Sequence, residues 1–190
     1  MELKKNIIPI STGFLLAILF SITVGVLLYY SPQYVDNLIV RDIAKLESIF
    51  KNIGQDCIIL NFEHDKNYID FLNVEKFVGN EVGSIILEHP NKWQGPYAPF
   101  NPRVQDKLYQ IVQGSKGYYI VPGDGVRLSN GKVIGRDLLF TSSTNVENML
   151  KDKKALLSKG GPLGAKVNVV MHGRQMAIDE KALDDANIGD

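Results

Sequence analysis

IIPISTGFLLAILFSITVGVLLYY, residues 7 to 30, holds no Asp, Glu, Lys, Arg or His, and the uncharged stretch extends from Asn6 to Gln33. A run of this kind covers the roughly 20 residues that span a bilayer, so it predicts a transmembrane helix over 7–30. A secretory signal is the rival reading, but its apolar region is usually about 7 to 15 residues long and ends at a small-residue cleavage site, which is not found near Tyr30. Lys4 and Lys5 precede the run, and the next basic residue is Arg41. The positive-inside rule then makes residues 1–6 a cytoplasmic N-terminus and residues 31–171 an extracytoplasmic head, and Tyr29 and Tyr30 suit the far interface. The expected location is the inner (cytoplasmic) membrane, crossed once. Residues 172–190 are polar and acidic and read as a flexible tail.

Working outward, the helical pattern continues past Pro32. Val35, Leu38, Ile39, Ile43, Leu46, Ile49, Phe50 and Ile53 recur at steps of three and four and form one apolar stripe, with Asp36, Arg41, Lys45, Glu47 and Lys51 off it and Gly54 as a stop. Short β-rich segments follow at 57–62, 117–121, 125–128, 132–134 and 166–170. Asn130-Gly131 reads as a type I′ hairpin turn, and 145–160 reads as a second amphipathic helix. The expected fold class is α+β: a long N-terminal helix, with a membrane half and an amphipathic half, packed on a small antiparallel sheet. With 21 basic and 21 acidic residues among 190, the chain lacks the basic footprint of a nucleic-acid binder. One folded domain is expected.

NKWQGPYAPFNP, residues 91–102, contains the chain's one tryptophan and three of its eight prolines. It is either a strap that seals the core or an exposed aromatic platform, and the three fixed φ angles favour the strap. No catalytic set is found. Cys57 opens an apolar strand and reads as a core residue. His64, His89 and His172 lack metal-ligand spacing, so no metal site and no cofactor are expected. Glu63, Asp65 and Asp70 read as solvated strand ends. In PGDGVRLSNG, Asp124 and Asn130 are too few oxygen donors for calcium, and no Gly-Lys-Ser/Thr makes it a phosphate loop.

This layout resembles the type IV pilins and, more closely, the pseudopilins of type II secretion. Trp93, Gly95, Pro96 and Tyr97 match the Trp-x-Gly-Pro-Tyr element that pseudopilins often carry before the sheet. Gly13 followed by Phe14, behind Lys4 and Lys5, matches the glycine-phenylalanine junction at which the family leader is cut, while Ile18 stands where the family usually has a glutamate. The resemblance implies a pilin-like fold and a non-catalytic structural subunit of an envelope secretion, protein-transport or pilus assembly. Its partners would be other pilin-like subunits or envelope proteins, with membrane lipid along 7–30 and no nucleic acid. It also leaves calcium near Asp124 open. The alternative function is a single-pass membrane-anchored scaffold or binding protein that does not form filaments.

Overall fold

The computed structural model describes residues 3–77 and 82–170, with side chains from residue 12 onward except at 26–32 and Val82. Helix α1 runs from Leu3 to Asp56 without interruption through Pro32, and it ends two residues beyond Gly54. Its C-terminal part is amphipathic for the reason the spacing gives. Ile39, Ile43, Leu46, Phe50 and Ile53 are buried, while Arg41, Lys45, Glu47 and Lys51 stay in solvent. Asp36 departs from expectation: it lies off the stripe, yet it is buried. A buried carboxylate must be hydrogen-bonded. Asp36 accepts from the Ser129 backbone N–H at 3.0 Å and from the Ser129 hydroxyl, which clips a loop 93 residues away onto the helix.

After the helix come β1 (Ile59–Phe62), β2 (Lys66–Tyr68), β3 (Ile85–Leu87), β4 (Arg103–Val104), β5 (Lys107–Leu108), β6 (Gln110–Gly114) and β7 (Gly117–Val121). Then follow a short helix α2 (Val146–Met149), β8 (Leu157–Ser158), β9 (Gly161–Pro162) and β10 (Ala165–Val167). The main sheet has the order β10-β7-β6-β2, and every pairing in it is antiparallel. Register aligns Ile111 with Ile120 and Ile120 with Ala165, so these three share one face. Helix α1 lies against β7 and β10, and the Tyr109 hydroxyl, just before β6, donates to Asp42 of the helix at 3.1 Å. The opposite face carries Gln110, Val112 and Tyr119. Residues 144–150 cover it, with Thr144 and Val146 against Gly114 and Leu150 against Gly164. Every residue of β7 is therefore buried.

Several expectations are corrected here. In place of one small sheet, the described residues form four separate small sheets, the three others being the pairs β1-β3, β4-β5 and β8-β9. Among the described residues, no helix is long and apolar enough to cross a membrane. This overturns the transmembrane assignment of 7–30, the membrane half of the helix and the inner-membrane anchor. The described apolar side chains there, residues 12–25, fall short of the roughly 20 that a bilayer core takes. Residues 1–2, the side chains of Lys4 and Lys5, and the tail from 172 lie outside the described residues.

The second helix expected at 145–160 is only the single turn α2. Asn145 caps it by accepting from the Asn148 N–H at 3.1 Å, but the Asp152 carboxylate then accepts from Lys154 N–H at 2.8 Å, a local bond that competes with helix and turns the chain. The turn at Asn130-Gly131 is not type I′, because only Gly131 has positive φ, at 83°. Leu128 O accepts from Gly131 N–H at 3.0 Å, a turn closed by a glycine bulge, and Arg127 faces Val133 in a lone bridge rather than between two full strands. Asn130 is spent elsewhere, since its amide donates to Ala155 O at 3.0 Å.

The buried stripe gives a direct prediction. Leu46→Asp places an unpaired carboxylate in the core and should lower stability by about 3 kcal/mol or more. Exposed Glu47→Ala should stay within about 0.5 kcal/mol of the parent. Denaturant melts of the two full-length variants followed by Trp93 fluorescence check this, and equal midpoints would contradict the packing.

Candidate functional site: an uncovered apolar helix and a sealed head

Two regions carry the residues that the sequence singles out. The first is the N-terminal part of α1. Phe14, Leu15, Leu16, Ile18, Leu19, Phe20, Ile22 and Val24 are all exposed, with Phe20 at 72%. Consecutive residues on a helix are about 100° apart, so the side chains from 14 to 20 put apolar surface on every side. Its polar groups are turned inward: the Ser21 hydroxyl donates to Ala17 O at 2.9 Å and the Thr23 hydroxyl to Leu19 O at 2.8 Å. Such back-bonding spends the hydroxyl's one donor within its own helix and leaves only its lone pairs to water. Gly13 has open space where a Cβ would be, and Phe14 beside it is exposed, so the candidate cleavage junction sits on an accessible surface. Ile18 belongs to the same apolar surface.

The second region is the strap. Trp93 is buried, its Nε1 donates to Val74 O at 2.9 Å, and its ring meets Phe77 at 4.2 Å and the edge of Tyr97 at 4.7 Å. Gly95 is what lets the indole reach that carbonyl. A Cβ there would stand 2.1 Å from Val74 O and 2.2 Å from Trp93 Nε1, so no other residue fits between them. The Gly95–Pro96 peptide is cis. Tyr97 N–H and Ala98 N–H both donate to one acceptor, Leu72 O, at 2.8 and 3.1 Å. Asn101 completes the seam by accepting from Leu72 N–H at 3.0 Å and donating to Asp70 O at 2.6 Å. Trp93, Gly95, Pro96 and Tyr97 are therefore packed together against the chain at Leu72 and Val74. Phe100 does not share that packing, because its ring is 75% exposed.

The remaining candidates have structural roles. Cys57 is buried beside Tyr97; burial pushes its thiol up and Asp56 adds to that, the reverse of an activated nucleophile. Asp124 is held by the Lys66 ammonium at 2.7 Å and by Gln110 Nε2 at 3.1 Å, so a lysine stands where calcium was entertained. Asn130 Oδ1 accepts from Lys132 N–H at 3.1 Å. His64 pairs with Glu63 at 3.7 Å, and Asp65 lies in the turn that leads into β2. No group of three or more His, Cys, Asp or Glu side chains among the described residues is placed to hold a metal ion. His172 lies outside the described residues. The sequence reading missed the Asp36–Ser129 clip and the Asp42–Tyr109 bond, since an Asp in a helix carries no signal of a partner so far along the chain.

No protein-family model, characterised protein or solved structure matches this chain. Similarity therefore lends no support to a pilin or type II secretion assignment.

Trp93→Ala should cost about 3–5 kcal/mol, the range for emptying a large aromatic from a core. The wild-type emission should be blue-shifted and poorly quenched by iodide. Gly95→Ala should also destabilise and should shift that emission, because the indole must leave Val74 O. A variant that melts with the wild type would contradict the seal.

Burial raises the phenols of Tyr97, Tyr109, Tyr118 and Tyr119 above the ordinary tyrosine value, with Asp42 adding to the effect at Tyr109. The Tyr119 hydroxyl has no hydrogen-bond partner among the described residues. A raised folded pKa means that the stability these groups contribute is complete below about pH 10 and lost as pH rises, because the unfolded chain releases those protons first. Phenolate absorbance from these residues should appear together with loss of the near-ultraviolet dichroism. Smooth ionisation of all eight tyrosines before unfolding would contradict it.

Proposed function

We propose that this chain is a non-catalytic assembly subunit that joins other subunits through the apolar N-terminal part of α1, in the manner of the pilin-like and pseudopilin-like proteins it resembles. The observation that carries this reading is the surface from Phe14 to Val24, apolar on every side, with Ser21 and Thr23 folded back onto their own helix. Contiguous exposed apolar surface of this extent marks an interaction site. Among the described residues nothing in the head covers it. Since no described helix is long and apolar enough to cross a membrane, the cover proposed is protein, the same segment of neighbouring subunits. Side chains that surround a helix completely suit a position inside a bundle with neighbours on several sides. A contact of one subunit on the next that does not close into a ring extends into a filament. The head supports the same reading by what it is built for: its buried polar groups tie loops to the helix and to the sheet.

Two measurements test this. Leu16→Lys with Phe20→Lys would place two charges inside the bundle, and the full-length variant should sediment as a monomer where the wild type forms large species, with Trp93 emission unchanged. Equal sedimentation of the two, or a monomeric wild type, would contradict the proposal. Mass spectrometry of the mature protein from its native host tests the processing separately. A chain beginning at methylated Phe14 is the expected pilin-type product, and a retained leader would leave only assembly without that processing.

A further inference from the structure

A groove of about 500 Å³ lies between α1 and the C-terminal half of the strap, floored by Leu46, Ile49, Leu72 and Ala98. Phe100 stands at its edge with its ring in solvent. Lys45 and Arg103 also line it. Neither has a carboxylate partner among the described residues; Arg103 makes only a 3.4 Å bond to the backbone carbonyl of Asp106. The one carboxylate in the groove, Asp42, is already engaged by the Tyr109 hydroxyl at 3.1 Å and by Arg41 at 3.6 Å. An apolar floor with an exposed aromatic and two uncompensated cations fits a segment that offers apolar anchors between carboxylates.

We propose that residues 177–190 of the same chain occupy this groove. That stretch, AIDEKALDDANIGD, places Ile178, Leu183 and Ile188 among Asp179, Glu180, Asp184, Asp185 and Asp190, with Lys181 as its one cation. The other uncovered apolar segment, residues 12–25, carries no charge and would leave Lys45 and Arg103 facing hydrocarbon, so charge complementarity selects the C-terminal stretch.

The chain is placed to deliver it. Val170 N–H donates to Ile59 O at 2.9 Å, and Asn168 O lies 3.8 Å from the Cβ position of Gly54, so the described chain leaves beside the C-terminal end of α1. From Gly54 to Leu46 is about 12 Å along a helix axis. The eight residues from Val170 to Ile178 reach about 26 Å when extended. Docked there, Ile178 or Leu183 covers Phe100 and the acidic side chains face Lys45 and Arg103. This inference does not rest on the assembly function proposed above.

Zero-length coupling by a carbodiimide, which joins a lysine amine to a nearby carboxyl as an amide with net loss of water, tests this on the full-length protein. Equal amounts of isotopically light and heavy chain are mixed before coupling. The expected product is an amide between Lys45 and a carboxylate of residues 179–190 in which both halves carry the same label. Ile178→Ser with Leu183→Ser should reduce its yield at least tenfold while Trp93 emission is unchanged, and Phe100→Ala should reduce it as well. Absence of coupling from Lys45 to that segment would overturn the proposal, as would an undiminished yield in the double serine variant. Light-heavy products in the proportion expected of random pairing would overturn it in favour of a second copy as the occupant.

Discussion

Helix α1 carries Ile39, Ile43, Leu46, Phe50 and Ile53 on one side, and burying that side is the requirement to which the remaining chain conforms. The ten strands among the described residues, none longer than five residues and divided among four sheets, could not make a core by themselves. Laid against the helix, β7 and β10 supply Ile120, Ala165 and Val167 from one face, and β6 adds Ile111 in register. The loops then close around this pair of layers through polar groups that are few and specific. Asp36 holds the Ser129 loop, Asp42 holds Tyr109, and Leu72 O holds the strap. Each is a buried or half-buried polar atom whose desolvation is offset only in this arrangement.

The same helix presents opposite chemistry at its two ends. Beyond residue 33 its polar residues are sorted to one side and its apolar ones to the other, as suits a helix with a core on one flank. From Phe14 to Val24 there is no such sorting, because the stretch has no charged residue and its two hydroxyls, Ser21 and Thr23, are bonded back onto their own helix. A helix of that composition has no stable solvated face, and the demand for cover passes to other molecules. This division between a head with its own core and a helix segment with none is the feature on which the proposed assembly role rests.

Sequence periodicity made the amphipathic stripe legible because one face is buried and the other wet along several turns. It made 117–121 legible as well, since GYYIV is β-rich throughout. It failed at β6, where QIVQG begins in glutamine and ends in glycine, and where Gln110 is buried with its amide N–H given to Asp124. It overreached at 145–160, where the apolar spacing is real but Asp152 bonds locally and turns the chain. The strap was readable in kind, through its prolines and aromatics, while the reason for Gly95 was not, since it lies in the approach of an indole to a carbonyl 19 residues away. The apolar run at the N-terminus was legible as apolar. Its assignment to a bilayer went further than the described helix supports.

The Asp36–Ser129 clip has a mechanical consequence. It sits at the end of the head nearest the exposed apolar side chains of α1, with the buried stripe from Ile39 and the Asp42–Tyr109 bond following it along the helix. Tension applied to the N-terminal half along the helix axis thus enters the head sideways, through bonds and contacts arrayed over several turns and strained simultaneously in shear. Tension applied across the axis instead reaches the clip and the contacts of Val35 and Asn37 beside it first, and peels the helix from the head one contact at a time. A chain built this way resists being drawn out lengthwise far better than it resists being bent away from its own head.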